Sequence, residues 1–281
     1  MSKTIITCDS TADLTSELYA KYDINVIPLC ITLGDELRRD GVDVTCKDVF
    51  EFVEESGMLP KTSAVSMGEY EDRFRPLVEQ GYEVLHINLS SHLSASHQNA
   101  RLAAEEVGNV WVVDSLSLSS GTGHLVLLAR ELINSGKTAA EAAAILEELR
   151  EKLDVSFVLQ TLEFLHKGGR CSGVAAFGAN LLKLRIEIEV QDGKMQVGKK
   201  YRGNLDRSIA DYIHGRLDGR TDLDLDRIFV THSGVPQESL DKAVALVKEL
   251  HPFKEVIATT AGCTITSHCG PNCLGVLFFT K

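Results

Sequence analysis

Positive charge is scarce in this chain. Lys and Arg number 29 against 40 Asp and Glu, a formal net charge of −11 at pH 7 over 281 residues. A nucleic-acid binder or a reader of anionic membrane surfaces needs a basic footprint, so both classes are excluded as expectations. Long apolar runs are missing too. No stretch approaches the roughly 18 residues of a membrane span, and "MSKTIITCDS" at the N-terminus lacks a signal-peptide core. The expectation is a cytoplasmic protein without stable membrane insertion. Of the seven cysteines, no two form a C-x-x-C pair, and the spacing of Cys263, Cys269 and Cys273 matches no common zinc pattern. Reduced structural thiols are expected, with no metal.

Catalytic signatures are equally sparse. There is no G-x-S-x-G elbow. "GTGHLV" (121–126) lacks the third glycine of a dinucleotide fingerprint, and "GGRCSGV" (168–174) has Val174 where a phosphate loop needs lysine. No nucleotide cofactor is expected.

What is present is alternation. "KTIITCD", "INVIPLCITL" (24–33), "YEVLHINL" (82–89) and "VWVVD" (110–114) read as strands separated by helical patterns. Ser66 and Glu69 form a capping box ahead of Tyr70, Phe74 and Leu77, although Pro76 puts the second half of that helix in question. A further helix is expected from Leu93 to Gly108, then helices over 117–135 and 138–153. Strands joined by helices imply a mostly parallel sheet, whose ligands gather outside the strands' carboxyl ends. Asp9, Ser90 and Asp114 fall at such ends. The second half differs: a strand at 155–160, a hairpin turning at Asp192-Gly193, helices at 204–217 and 237–249, and strands at 227–232, 254–260 and the C-terminus. The reading is α/β with two domains, 1–154 on a mostly parallel sheet and 155–281 on a mixed one.

Two hydroxyl-bearing loops each open a helix. Thr62 and Ser63 precede the capped helix at Ser66, and Ser94 sits in "SSHLSAS" (90–96). Helix N-termini offer unpaired N–H groups and partial positive charge, so hydroxyls beside them suit an anion. The competing reading is a Ser/His-dependent acyl hydrolase, since Ser94 and His97 are three apart on one expected helix. His268 lies in a Gly/Pro-containing segment, expected to be a loop, and Arg170 follows Gly168 and Gly169, which let the backbone bend.

These same stretches carry a resemblance. "DSTADL" (9–14), "KTSAVS" (61–66), "SSHLSAS" (90–96), "LEFLHKGGR" (162–170) and "SHCGPNCLG" (267–275), in order over nearly the whole chain, resemble the signatures of the DegV family of bacterial fatty-acid-binding proteins. The resemblance implies a two-domain fold, with an N-terminal three-layer α/β/α domain, and a long-chain, palmitate-like fatty acid buried between the domains. The acid's carboxylate would be held by hydroxyls matching Thr62 and Ser94, with Ser63 and His268 in the same polar network. It also implies an acyl-carrier role in a two-part fatty acid kinase, a separate ATP-binding partner phosphorylating the bound acid, and Arg170 at the docking face. Ala95 and Ser96 depart from the usual Gly-Thr, and Asn272 from a usual Gly. At about 0.8 kcal/mol per buried methylene, roughly 14 methylenes contribute on the order of 11 kcal/mol gross. The tail then supplies most of the affinity, and the head donors set orientation.

Overall fold

The computed structural model describes residues 3–171, 173–174 and 184–281. A parallel sheet is built from β1 (Thr4–Asp9), β2 (Ile24–Ile27), β6 (Glu83–Asn88) and β7 (Val110–Asp114), in the order β2-β1-β6-β7. Its two faces follow the period of two in each strand. Val84, Val110 and Val112 pack with Tyr70, Phe74, Ala100 and Ala103, which belong to α3 (Met67–Glu79) and α4 (Ser96–Val107). Leu85, Ile87, Trp111 and Val113 face the other way, onto α5 (Ser119–Asn134) and α6 (Ala139–Leu149). The result is the expected three layers. Pro76 does not end α3, which runs on to Glu79.

The second sheet takes all its strands from residues 153–280. They are β8 (Leu153–Leu159), β9 (Leu184–Gln191), β10 (Lys194–Arg202), β11 (Leu223–Ser233), β12 (Glu255–Thr260) and β13 (Cys273–Thr280), in the order β10-β9-β8-β13-β11-β12. Among the described residues only β11 and β12 of this sheet pair in parallel, so it is mixed, as the sequence implies. The hairpin turns at Asp192-Gly193, both at positive φ (49° and 74°), the geometry of a two-residue I′ turn. Leu274, Val276 and Phe278 of β13 pack under α8 (Leu205–Leu217) and α9 (Gln237–Leu250). Leu277, with Val155 and Phe229, joins the core cluster that contains the buried face of α5.

That helix explains the glycines of "GTGHLV". Residues 119–127 of α5 are all buried, and α5 touches strands of both sheets. A Cβ on Gly123 would lie 2.7 Å from the Ala12 carbonyl oxygen, and one on Gly121 2.8 Å from Val155. The glycines serve close approach of chain to chain and do not cradle a phosphate.

Two segments depart from expectation. The run 24–33 is not one strand. It divides at Pro28, and its second part, β3 (Cys30–Leu33), enters a small antiparallel sheet between β4 (Glu36–Arg39) and β5 (Lys61–Ser63). The segment around His268 is not a loop but a short helix. Completing the order, α1 spans Ser16–Lys21, α2 Cys46–Ser56, α7 Glu163–Gly168 and α10 Cys263–Cys269.

Asp9, expected at the ligand edge, is instead part of the frame. Its buried carboxylate accepts hydrogen bonds from Tyr70 Oη (2.7 Å), Asn88 Nδ2 (3.1 Å) and the Leu89 amide (3.1 Å), tying α3 to β1 and β6. Hydrogen bonds to charged groups contribute about 1.5–3 kcal/mol. Tyr70→Phe is therefore expected to lower unfolding free energy by about that amount in urea titration, with the fold retained.

Candidate functional site

The site begins with the docking of α10. Its three leading backbone N–H groups are met by two carboxylates far away in sequence. Gly262 donates to Asp13 (2.8 Å), and Cys263 and Thr264 donate to the two oxygens of Asp40 (2.9 and 3.1 Å). Negative charge at a helix N-terminus completes the unpaired amides and complements the dipole. Asp13 is buried, which pushes its carboxyl pKa upward. Hydrogen bonds from Ser119 Oγ (2.5 Å) and the Gly262 amide work in the opposite direction.

This docking sets His268, in the last turn of α10, against Thr62. Thr62 is the middle residue of β5 and pairs with Ile31. Thr62 Oγ1 and His268 Nε2 are 2.8 Å apart. His268 Nδ1 is buried with no hydrogen-bond partner among the described residues. Behind the ring stands Gly168, where any Cβ would overlap Nδ1. The close approach of the ring, rather than chain bending, is what Gly168 provides. Gly169 is the residue that bends, at φ 71° in the C-cap of α7. Arg170 is exposed, and its guanidinium donates to the Gly168 carbonyl (2.6 Å) and the Leu93 carbonyl (3.4 Å).

Ser94 is not inside a helix that starts at Leu93. The helix starts at Ser96, and Ser94 precedes it, its Oγ accepting from the Ser96 amide (3.1 Å) and lying 2.9 Å from Ser96 Oγ. Ser94 thus forms a turn just ahead of the helix, whose N-cap is Ala95, and the buried Ser96 hydroxyl lies against it. Asn272 takes φ 56°, a left-handed conformation that Gly adopts freely and Asn tolerates better than most residues. The turn after α10 therefore accommodates the departure from Gly.

All five residues singled out from sequence meet. Thr62, Ser63, Ser94, Arg170 and His268 line one cavity of about 40 Å³. Ser63 is exposed, and its hydroxyl makes no hydrogen bond among the described residues. A second cavity of about 40 Å³ shares Leu118, Met195, Ile265 and His268 with the first and is walled by Phe157, Leu165 and Leu277. Gly275 lines it from mid-strand, where a Cβ would press on the Ser156 carbonyl at 2.7 Å. Two small cavities thus adjoin, one carrying hydroxyls and an imidazole among apolar walls, the other almost wholly apolar, with Leu118, Met195, Ile265 and His268 common to both. Leu118, Met195 and Gly275 escaped the sequence reading, because tunnel and core positions carry the same apolar signal.

Among the described residues, Ser94 Oγ bonds Ser96 rather than His97, and the Nδ1 atoms of His97 and His268 have no hydrogen-bond partner, so the expected Ser94–His97 pair is not formed and neither ring has the third member of a triad. Among the described residues no His, Cys, Asp or Glu cluster could hold a metal ion, and no helix is long and apolar enough to cross a membrane. All seven cysteines are free.

Comparison with known proteins agrees with this architecture. The DegV family model matches residues 3–281, and the chain belongs to that family. A DegV domain-containing protein of Clostridium acetobutylicum is 30% identical over 287 residues, covering 100% of both chains. The fold is similar to that of a fatty-acid-binding DegV family protein of Thermus thermophilus, with a TM-score of 0.88, 30% identity, and coverage of 99% of this chain and 100% of that one. It is also similar to a stearic-acid-binding protein of Eubacterium ventriosum, with a TM-score of 0.86, 26% identity, and coverage of 100% and 99%.

Burial, reinforced by the positive charge of Arg170, holds His268 well below the usual imidazole range, at about 4. In the unfolded chain the same group titrates near 6.5. Between these values the unfolded state binds the proton and the folded state does not. The contribution to stability is therefore complete above about pH 6.5 and is lost as pH falls towards 4. The expected observation is a His268 ring that stays neutral to about pH 4 in an NMR titration; a midpoint near 6.5 would contradict the burial described.

Proposed function

We propose that this chain binds one long-chain fatty acid, palmitate-like in length, between its halves 1–154 and 155–281. It then presents the carboxylate to a separate ATP-binding kinase. The observation that carries the reading is the meeting of Thr62, Ser94 and His268 in the wall of one cavity that adjoins a second, apolar one. The fatty acids bound by the similar Thermus and Eubacterium proteins support the ligand class.

In this reading the head is gripped by neutral donors. In the tautomer this reading requires, the uncharged His268 carries its proton on Nε2, which donates to Thr62 Oγ1 and frees the Thr62 proton for a carboxylate oxygen. In the same reading the Ser96 hydroxyl donates across its 2.9 Å contact to Ser94 Oγ, which also accepts from the Ser96 amide, and the Ser94 proton turns to the ligand. A carboxylate held by hydroxyls keeps its charge and stays available to attack a phosphoryl group, whereas an arginine clamp would blunt it. Phosphoryl transfer then depends mainly on positioning, with ATP and metal brought by the partner. Arg170, exposed at the rim, is the docking contact for that partner.

Each cavity has room for about three water-sized groups. A full acyl chain therefore displaces side chains where the two meet. Met195 stands there, and its unbranched side chain re-packs at low cost.

Native mass spectrometry of the purified protein, before and after incubation with palmitate, is the test. The expected spectrum shows one added fatty-acid mass per chain. A chain that neither carries nor takes up lipid contradicts the proposal. With the kinase present, Ser94→Ala should slow acyl-phosphate formation about tenfold or more, the value of one hydrogen bond to a charged group. Lipid retention should fall less; equal loss of both would argue against a presenting role.

A further inference from the structure

The face of α10 that carries His268 carries a second polar group. Thr264 lies four residues earlier, one helical turn away, and lines the same cavity as Thr62, Ser94 and His268. The residue is 4% exposed, and its hydroxyl is closed to water with no hydrogen-bond partner among the described residues. A threonine or serine in a helix ordinarily satisfies its hydroxyl on a carbonyl of the preceding turn. Its neighbours do so: Ser267 Oγ donates to the Cys263 carbonyl (2.7 Å), and Thr266 Oγ1 to that of Ala261 (3.3 Å). Thr264 does not. Its backbone amide is fixed on Asp40, so the residue is rigidly held while its hydroxyl stays unspent. Valine has nearly the same shape and would remove the cost of burying that group.

We propose that Thr264 supplies a third hydroxyl to the head of the bound ligand, donating to a carboxylate oxygen beside Thr62 and Ser94. This inference rests on the fatty-acid reading above. An ionised carboxylate offers about four acceptor sites on two oxygens, enough for three hydroxyl donors, whereas an alcohol offers one oxygen and two lone pairs. Thr264 is thus a specificity-determining residue that favours the free acid over a chain of equal length with a neutral head.

Thr264→Val and Thr264→Ser test this by equilibrium dialysis with radiolabelled palmitate and hexadecanol, alongside thermal melting of the ligand-free proteins. Thr264→Val should bind palmitate about tenfold or more weakly and hexadecanol within about twofold of the parent. Thr264→Ser, which keeps the hydroxyl, should hold palmitate within about threefold. Ligand-free Thr264→Val should melt at or above the parent temperature, because an unpartnered hydroxyl has been removed. Unchanged palmitate affinity in Thr264→Val, equal loss for both ligands, or a lower ligand-free melting temperature would each overturn the assignment. If the parent binds palmitate and Thr264→Val is indifferent, this inference alone fails. If the parent binds no palmitate, the fatty-acid reading fails and takes this one with it.

Discussion

Two carboxylates, Asp13 and Asp40, hold the site in register. They come from the first forty residues, yet they cap a helix that begins more than two hundred residues later. Through this contact α10 is fixed to the N-terminal half while β13, which follows it, is woven into the C-terminal sheet. His268 can meet Thr62 only because that helix is anchored at its start. Burying two acids is costly unless each finds donors, and here the donors are backbone amides that would otherwise be unpaired. One requirement satisfies the other, so the acids and the amides of α10 complete each other.

The same economy runs through the cavity. Charge is kept at its edge: Arg170 is exposed at the rim, and Asp13 and Asp40 are spent on α10. What faces the interior is hydroxyl, neutral imidazole and hydrocarbon. Such a chamber suits an amphipathic ligand whose head must keep its own charge while its tail is hidden. In the proposed reading, affinity derives from apolar burial and orientation from the donors, which separates holding a lipid from exposing its reactive end. Glycine is used for closeness as much as for turning: Gly168 admits the His268 ring, Gly275 lies close against the Ser156 carbonyl of the neighbouring strand, and Gly121 and Gly123 let α5 lie between the sheets.

Much of this was legible in the sequence, for reasons that can be stated. Strands such as "YEVLHINL" and "VWVVD", alternating with helical patterns, announce a parallel sheet because crossovers are needed to join them, and Asp192-Gly193 announces its hairpin by turn chemistry alone. Thr62 and Ser94 stood out because hydroxyls were concentrated at two helix openings. Hidden features depend on distant partners. The helix at 263–269 reads as a loop because "CTITSHC" is rich in β-branched residues, which are weak helix formers, and because its capping groups are Asp13 and Asp40 rather than neighbours. The start of α4 was placed too early because Leu93 falls in phase with the apolar face of Ala100, Ala103 and Val107, whereas residues 91–93 form a turn and the helix begins at Ser96. The small sheet of β3, β4 and β5 was invisible because its strands are short and β4, "ELRR", is almost wholly charged.

The claim at the centre is that uncharged donors from both halves hold a carboxylate while its hydrocarbon runs inward between the sheets. A crystal structure of the protein saturated with palmitate tests this most directly. The account predicts one carboxylate oxygen within about 2.5–3.0 Å of each of the Thr62 and Ser94 hydroxyl oxygens. The tail should pass Met195 towards Phe157 and Leu277. Electron density for the lipid on the outer surface, or a head group seated on Arg170 with Thr62 and Ser94 unengaged, would contradict it.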